Sequence, residues 1–163
     1  MDAKEQALEQ YKSLVDDVGN VGTRYATANG FYLSVLTALI GVLAYVGTGK
    51  DATKQTYFVV LLVAVFAVII CWIWRETVRF YGRLFGAKFD LLKKLGAKLD
   101  TDVNVYDEED DLAYYEERED STGKKRKVRL PGLTASEQRV PIFLGVFFIL
   151  IGAAALLMLV IGR

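Results

Sequence analysis

The stretch TRYATANGFYLSVLTALIGVLAYVGT, Thr23 to Thr48, decides how this chain is read. Within it Thr23, Thr27, Gly30, Ser34, Thr37, Gly41, Ala44 and Thr48 recur at alternating steps of four and three residues. On an α-helix that spacing gathers them into one stripe. Every member is small, and five of the eight carry a hydroxyl. From Ala26 to Thr48 there is no Asp, Glu, Lys or Arg, so most of the stripe runs through a segment that a bilayer accepts. Small residues let helix backbones approach, and hydroxyls bond across helices. A polar stripe also suits the wall of an aqueous path. The stripe is therefore expected to face another helix or water rather than lipid. Both readings select Gly30, Ser34, Thr37, Gly41, Ala44 and Thr48, as helix-interface or as pore residues.

Two further runs lack charged residues, Tyr57–Trp74 and Val140–Gly162. At 1.5 Å per residue they reach about 27 Å and about 35 Å, enough to cross a hydrocarbon core roughly 30 Å thick. The chain is 53% hydrophobic yet 25% charged, and the two populations are segregated. That segregation predicts an all-α, three-span membrane protein rather than a soluble domain with buried helices. Tyr57, Trp72 and Trp74 bracket the second run, where amphipathic rings sit at headgroup level.

Orientation follows from the basic residues. Residues 1–25 hold 3 Lys and Arg, 49–56 hold 2, 75–139 hold 14, and one ends the chain. Basic loops stay in the cytoplasm. The expected layout is a cytoplasmic amphipathic helix at 1–25, spans at 26–48, 57–74 and 140–162, and an external loop at 49–56. Residues 75–139 form a cytoplasmic helical stem and charged domain, and the C-terminus lies outside. Residues 1–25 are acidic and lack the basic start and cleavage site of a signal peptide.

Leu8, Tyr11, Val15 and Val18 give the first segment one apolar helical face, which needs a partner. Gly19 and Gly22 predict a bend near the membrane. After Trp74, the positions Val78, Tyr81, Phe85, Leu92, Leu95 and Leu99 keep a seven-residue rhythm, broken by Lys88. The second span is thus expected to continue as one helix to about Leu99. Such a helix suits a lever between a cytoplasmic site and the membrane, and equally a plain bundle stem.

Residues 100–120 are dense in Asp and Glu, with Tyr106, Tyr114 and Tyr115 interleaved, and Val103–Val105 has the look of a short strand. Ser121-Thr122-Gly123 reads as a turn, and Lys124, Lys125, Arg126, Lys127 and Arg129 follow it. An acidic half is therefore expected to fold back on a basic half. The basic run is a candidate site for anionic lipid headgroups, or for a phosphate-bearing nucleotide or oligonucleotide stacked on the tyrosines. Thr134 to Glu137 forms a capping box ahead of the third span, and Pro141 lies early in that helix. Gly152, Ala153, Ala154 and Ala155 offer it a small-residue surface.

Catalysis is not expected. The chain has no histidine, which rules out a Ser-His-Asp triad, and it shows no Gly-rich phosphate loop. Its acids do not have EF-hand spacing, so no metal or cofactor is expected. The single Cys71 cannot form an intrachain disulfide. Phe31, Phe147 and Phe148 are the bulky span residues available as an apolar gate.

Several stretches resemble the RipA-like family of small octameric bacterial membrane proteins. They are Thr27–Ser34 with Thr37-Ala38-Leu39, Trp74-Arg75 with Tyr81–Leu84 and Ala87-Lys88-Phe89, and Leu133–Glu137 followed by Pro141 and Phe143. Gly86 departs from the polar residue expected there, and 100–120 has no counterpart. The resemblance implies a self-assembling protein of the bacterial inner membrane. Similar small multi-span proteins stand beside nucleotidyltransferases in antiphage systems, as membrane effectors gated by a nucleotide or oligonucleotide. The function this implies is a channel or membrane-disrupting effector gated from the cytoplasm. A non-conducting scaffold in stress adaptation and a transporter accessory subunit are the alternatives.

The topology is directly testable. A reporter fused after Arg163 should be active only if it works outside the cytoplasm, and one fused after Gly123 should behave oppositely. Cytoplasmic labelling of the C-terminus would remove a span and the orientation with it.

Overall fold

The structure is a computed structural model that describes residues 2–47, 53–99, 115–119, 125–129 and 137–161. Three helices carry it: α1, Ala3–Gly47; α2, Lys54–Lys98; and α3, Arg139–Ile161. All three are long and apolar enough to cross a membrane. The 45 residues of α1 and of α2 give each about 68 Å of rise, more than twice the hydrocarbon thickness. Each therefore joins a membrane span to a polar extension without a break. The end of α2 at Lys98 falls one residue short of the seven-residue rhythm closing at Leu99.

The other regular element among the described residues is an antiparallel ribbon of β1, Tyr115–Glu119, and β2, Lys125–Arg129. Its register pairs Glu117 with Lys127 and Glu119 with Lys125. The acidic half does fold back on the basic half, as a ribbon. Val103–Val105, the rest of 100–114 and the turn at Ser121–Gly123 lie outside the described residues.

The chain divides into two compact units. One holds Tyr25–Arg79 with Glu137–Arg163. Its core is Leu36 of α1, Ala67, Cys71, Trp74 and Val78 of α2, and Phe148 of α3. On α2 the buried positions Ala64, Ala67, Cys71, Trp74 and Val78 alternate three and four steps, the seam of a left-handed helix pair. On α3 the matching seam is Pro141, Gly145, Phe148, Gly152 and Ala155, small residues on either side of one ring. A Cβ added at Gly152 would stand 3.3 Å from Ala64 Cβ and 3.8 Å from Leu61 Cδ1. Gly152 and Ala155 are buried, whereas Ala153 and Ala154 are exposed. Only half of the expected small-residue surface is used within the protomer.

The other unit holds residues 1–24 with 80–136. Here the apolar face of α1 finds its partner in the far half of α2. Val21 and Leu92 are buried, and Tyr11, Val15 and Val18 are half-buried, while Leu8 stays exposed. Lys88 pairs with Asp17, which explains the polar break in the α2 rhythm. The expected bend at Gly19 and Gly22 is not a helix break, because α1 is one helix from Ala3 to Gly47. A glycine costs a helix about 1 kcal/mol, and packing along so long a helix outweighs that. Gly22 instead lies opposite the tip of the Phe85 ring, 4.0 Å from where its Cβ would be.

Gly152→Leu should drive a branched side chain into Ala64 and Leu61. Overpacking of this kind costs about 1–3 kcal/mol. The variant should lose thermal stability in detergent by more than Ala153→Leu does, since Ala153 is exposed. Equal losses would refute the α2–α3 seam.

Candidate functional site

Along its span and the turn before it, α1 carries two stripes. Tyr25, Asn29, Tyr32, Leu36, Leu39 and Leu43 step by four and three and are buried or half-buried. Thr23, Thr27, Gly30, Ser34, Thr37, Gly41 and Ala44 have the same rhythm, displaced by two residues, and all are exposed. Two residues on a helix turn about 200°. The small-residue stripe therefore lies on the face turned away from the protomer's own core. Thr48 lies outside the described residues.

Three polar contacts fix that rotation. Asn29 Oδ1 accepts a hydrogen bond from Trp74 Nε1 at 2.8 Å. The hydroxyls of Tyr32 and Thr77 lie 3.1 Å apart in a hydrogen bond. The Tyr25 hydroxyl donates to the Glu137 carboxylate. The Tyr32 ring also stacks on Trp74, with centroids 6.0 Å apart and planes 18° from parallel. Tyr25 precedes the first span; burial, and then the adjacent Glu137, push its hydroxyl up to about 12, so it remains a donor at neutral pH. Polar residues at steps of four and three, ahead of a leucine seam, were the available sequence signal for this set. Trp74 is 3% exposed and Trp72 64%. Trp72 alone of the two is placed to meet headgroups, because the indole of Trp74 is held inside the bundle. Glu137 of the expected capping box is engaged by Tyr25, and Thr134 to Ser136 lie outside the described residues.

The stripe itself has its hydroxyl donors occupied at three positions. Thr23, Ser34 and Thr37 donate to the carbonyls of Gly19, Gly30 and Leu33, at 3.2, 2.8 and 2.8 Å. Such back-bonding lowers the cost of placing a hydroxyl away from water. Gly30 and Gly41 have nothing within 4 Å of an added Cβ, so among the described residues no part of the protomer fills the space beside them.

The three gate candidates separate. Phe148 is fully buried in the protomer core, in one cluster with Leu36, Ala67 and Cys71. Phe31 is 61% exposed and Phe147 46%. The ligand candidates Lys125, Arg126, Lys127 and Arg129 lie on β2, with acidic β1 as the paired strand, and Lys124 lies outside the described residues. No group of acidic or Cys side chains suited to a metal occurs among the described residues.

Trp74→Phe keeps most of the ring packing but removes the donor to Asn29. Hydrogen bonds between membrane helices average about 0.6 kcal/mol, with a maximum of about 1.7. A stability loss in that range is expected by unfolding in detergent, and Asn29→Ala should add little to it. Additive losses would show that the two side chains do not act together.

Neither a curated protein nor a solved structure matches the chain. A comparison with protein families matches residues 8–158, nearly its whole length, to the octameric membrane protein family (8xMP). The three membrane-length helices and the outward stripe suit a multi-pass protein that self-associates in contact with lipid. The chain belongs to the octameric membrane protein family.

Proposed function

We propose that copies of this chain form a channel, or a membrane-disrupting assembly, in the bacterial inner membrane, with the small-residue stripe of α1 as its wall. The supporting observation is the exposure of Gly30, Ser34, Thr37, Gly41 and Ala44 on a helix whose opposite face is buried at Leu36 and half-buried on either side of it. A purely lipid-facing surface has no need of two glycines and two hydroxyls. The uncharged spans imply weak ion selectivity, and a narrowing by Phe31 or Phe147 would close the path by dewetting. The N-terminus and residues 75–139 face the cytoplasm, as the basic residues direct. From there α2 would carry a ligand's effect toward the membrane. Binding moves such an equilibrium only as far as affinity differs between its two states. The resemblance supplies the finer reading: defence against phage, with a nucleotide or oligonucleotide from a neighbouring nucleotidyltransferase as the ligand.

A dry, non-conducting scaffold is favoured by one observation, the back-bonding of Ser34 and Thr37. Two measurements on the purified oligomer separate the readings. Planar-bilayer recordings, with and without the enzyme's product, should show conductance. Ser34→Cys and Thr37→Cys should react with a charged, water-soluble thiol reagent. Silence together with unreactive thiols, from protein shown to be assembled, would establish the scaffold instead. Gly41→Leu should dissociate the oligomer in detergent and leave an inserted monomer; an unchanged mass by light scattering would exclude the stripe as the contact.

A further inference from the structure

A two-stranded ribbon on its own is marginally stable in water. The ribbon of β1 and β2 is a sheet of that size, and among the described residues neither outer edge has a backbone partner. Open edges are templates for another strand. The two edges differ in charge. β1, Tyr-Glu-Glu-Arg-Glu, carries three acids and one base, whereas β2, Lys-Arg-Lys-Val-Arg, carries four bases and no acid. The chain's family is octameric, so seven further copies of each edge are at hand.

We propose that β1 of one protomer pairs edge to edge with β2 of the next, and that the ribbons of the oligomer thereby close into one continuous β-ring. Charge selects this pairing. Placing β1 beside β1, or β2 beside β2, sets like charges on adjacent strands, which is destabilising. β1 beside β2 sets acids next to bases. The contact is then between two different edges, and a head-to-tail contact of that kind generates a ring when its rotation closes. The ribbon's own register contains one like-charge pair, Arg118 opposite Arg126. The ring gives β2 a second acidic neighbour, which answers the charge at Arg126. Two strands from each of eight copies make sixteen, and closed sheets of that size leave an aqueous lumen. Closure also removes every exposed edge. The inference rests on self-association alone and stands whether or not the assembly conducts.

Two experiments on the full-length oligomer test it. The first is hydrogen exchange resolved at single residues in 115–119 and 125–129. In a lone ribbon only the inward-facing amides are bonded, so alternate residues exchange fast. In the ring the outward amides are bonded too, and should become slow in the assembly and fast in dissociated monomer. Fast alternate amides in the intact oligomer would overturn the proposal. The second uses two charge-reversed chains, Lys125→Glu with Lys127→Glu, and Glu117→Lys with Glu119→Lys. Both keep Arg75, Arg79, Arg83 and Arg139, so the basic residues beside the spans are unchanged. Each chain alone sets like charges opposite each other at the two altered pairs, 117 with 127 and 119 with 125, and should lose the slow outward amides. Co-expressed, they should regain them in mixed assemblies recovered through a tag on one chain. Within each chain the reversed pairs still repel, so rescue can come only from strands of different chains. Protection in the mixture no better than in either variant alone would overturn the ring.

Discussion

Leu36, Ala67 and Phe148 belong to one buried cluster of the spanning unit, one from each helix, and with the bonds from Asn29 and Tyr32 to α2 they set the rotation of α1 about its own axis. Everything facing outward from α1 follows from that rotation. In lipid there is no hydrophobic gain from bringing apolar helices together, so packing and hydrogen bonds must hold them. Here the packing comes from small residues on α3 that admit α2, and from one phenylalanine ring between them. The hydrogen bonds come from Asn29 to Trp74, Tyr32 to Thr77 and Tyr25 to Glu137. They lock α1 with Leu36, Leu39 and Leu43 inward and with Gly30, Ser34, Thr37 and Gly41 outward.

The outward face is an unusual one for a protomer to leave open. Glycine and hydroxyl residues weaken the affinity of a span for lipid and favour close approach of another helix. Membership of an octameric family supplies further copies of the chain. Within the spanning unit, rings and leucines of α1 and small residues of α3 make the contacts inside the chain, and the small-residue stripe of α1 is left exposed.

Outside the spans the same economy of partners recurs. The polar extensions of α1 and α2 bury Val21 and Leu92 and join through Asp17 and Lys88. The ribbon sets an acidic strand against a basic one. Lys125–Arg129 is therefore a strand whose paired neighbour is the acidic strand Tyr115–Glu119.

Length and polarity alone settled the number of spans, because a charge inside a bilayer is costly and a helix of about 20 apolar residues is what crosses it. The continuation of α2 toward Leu99 was legible in the same way, since its apolar rhythm persists past the membrane. The stripe at Gly30, Ser34, Thr37, Gly41 and Ala44 was visible as periodicity, but periodicity gives every face of a helix equal standing. Which face turns inward depended on side chains far apart in sequence, Asn29 with Trp74 and Leu36 with Phe148. No local rule pairs residues so distant. The same holds for Phe148, one phenylalanine among several by sequence and the centre of the core by structure. The sequence by itself determined what the membrane would accept; only the tertiary structure decided which surface the protomer leaves exposed, because burial is settled by distant partners.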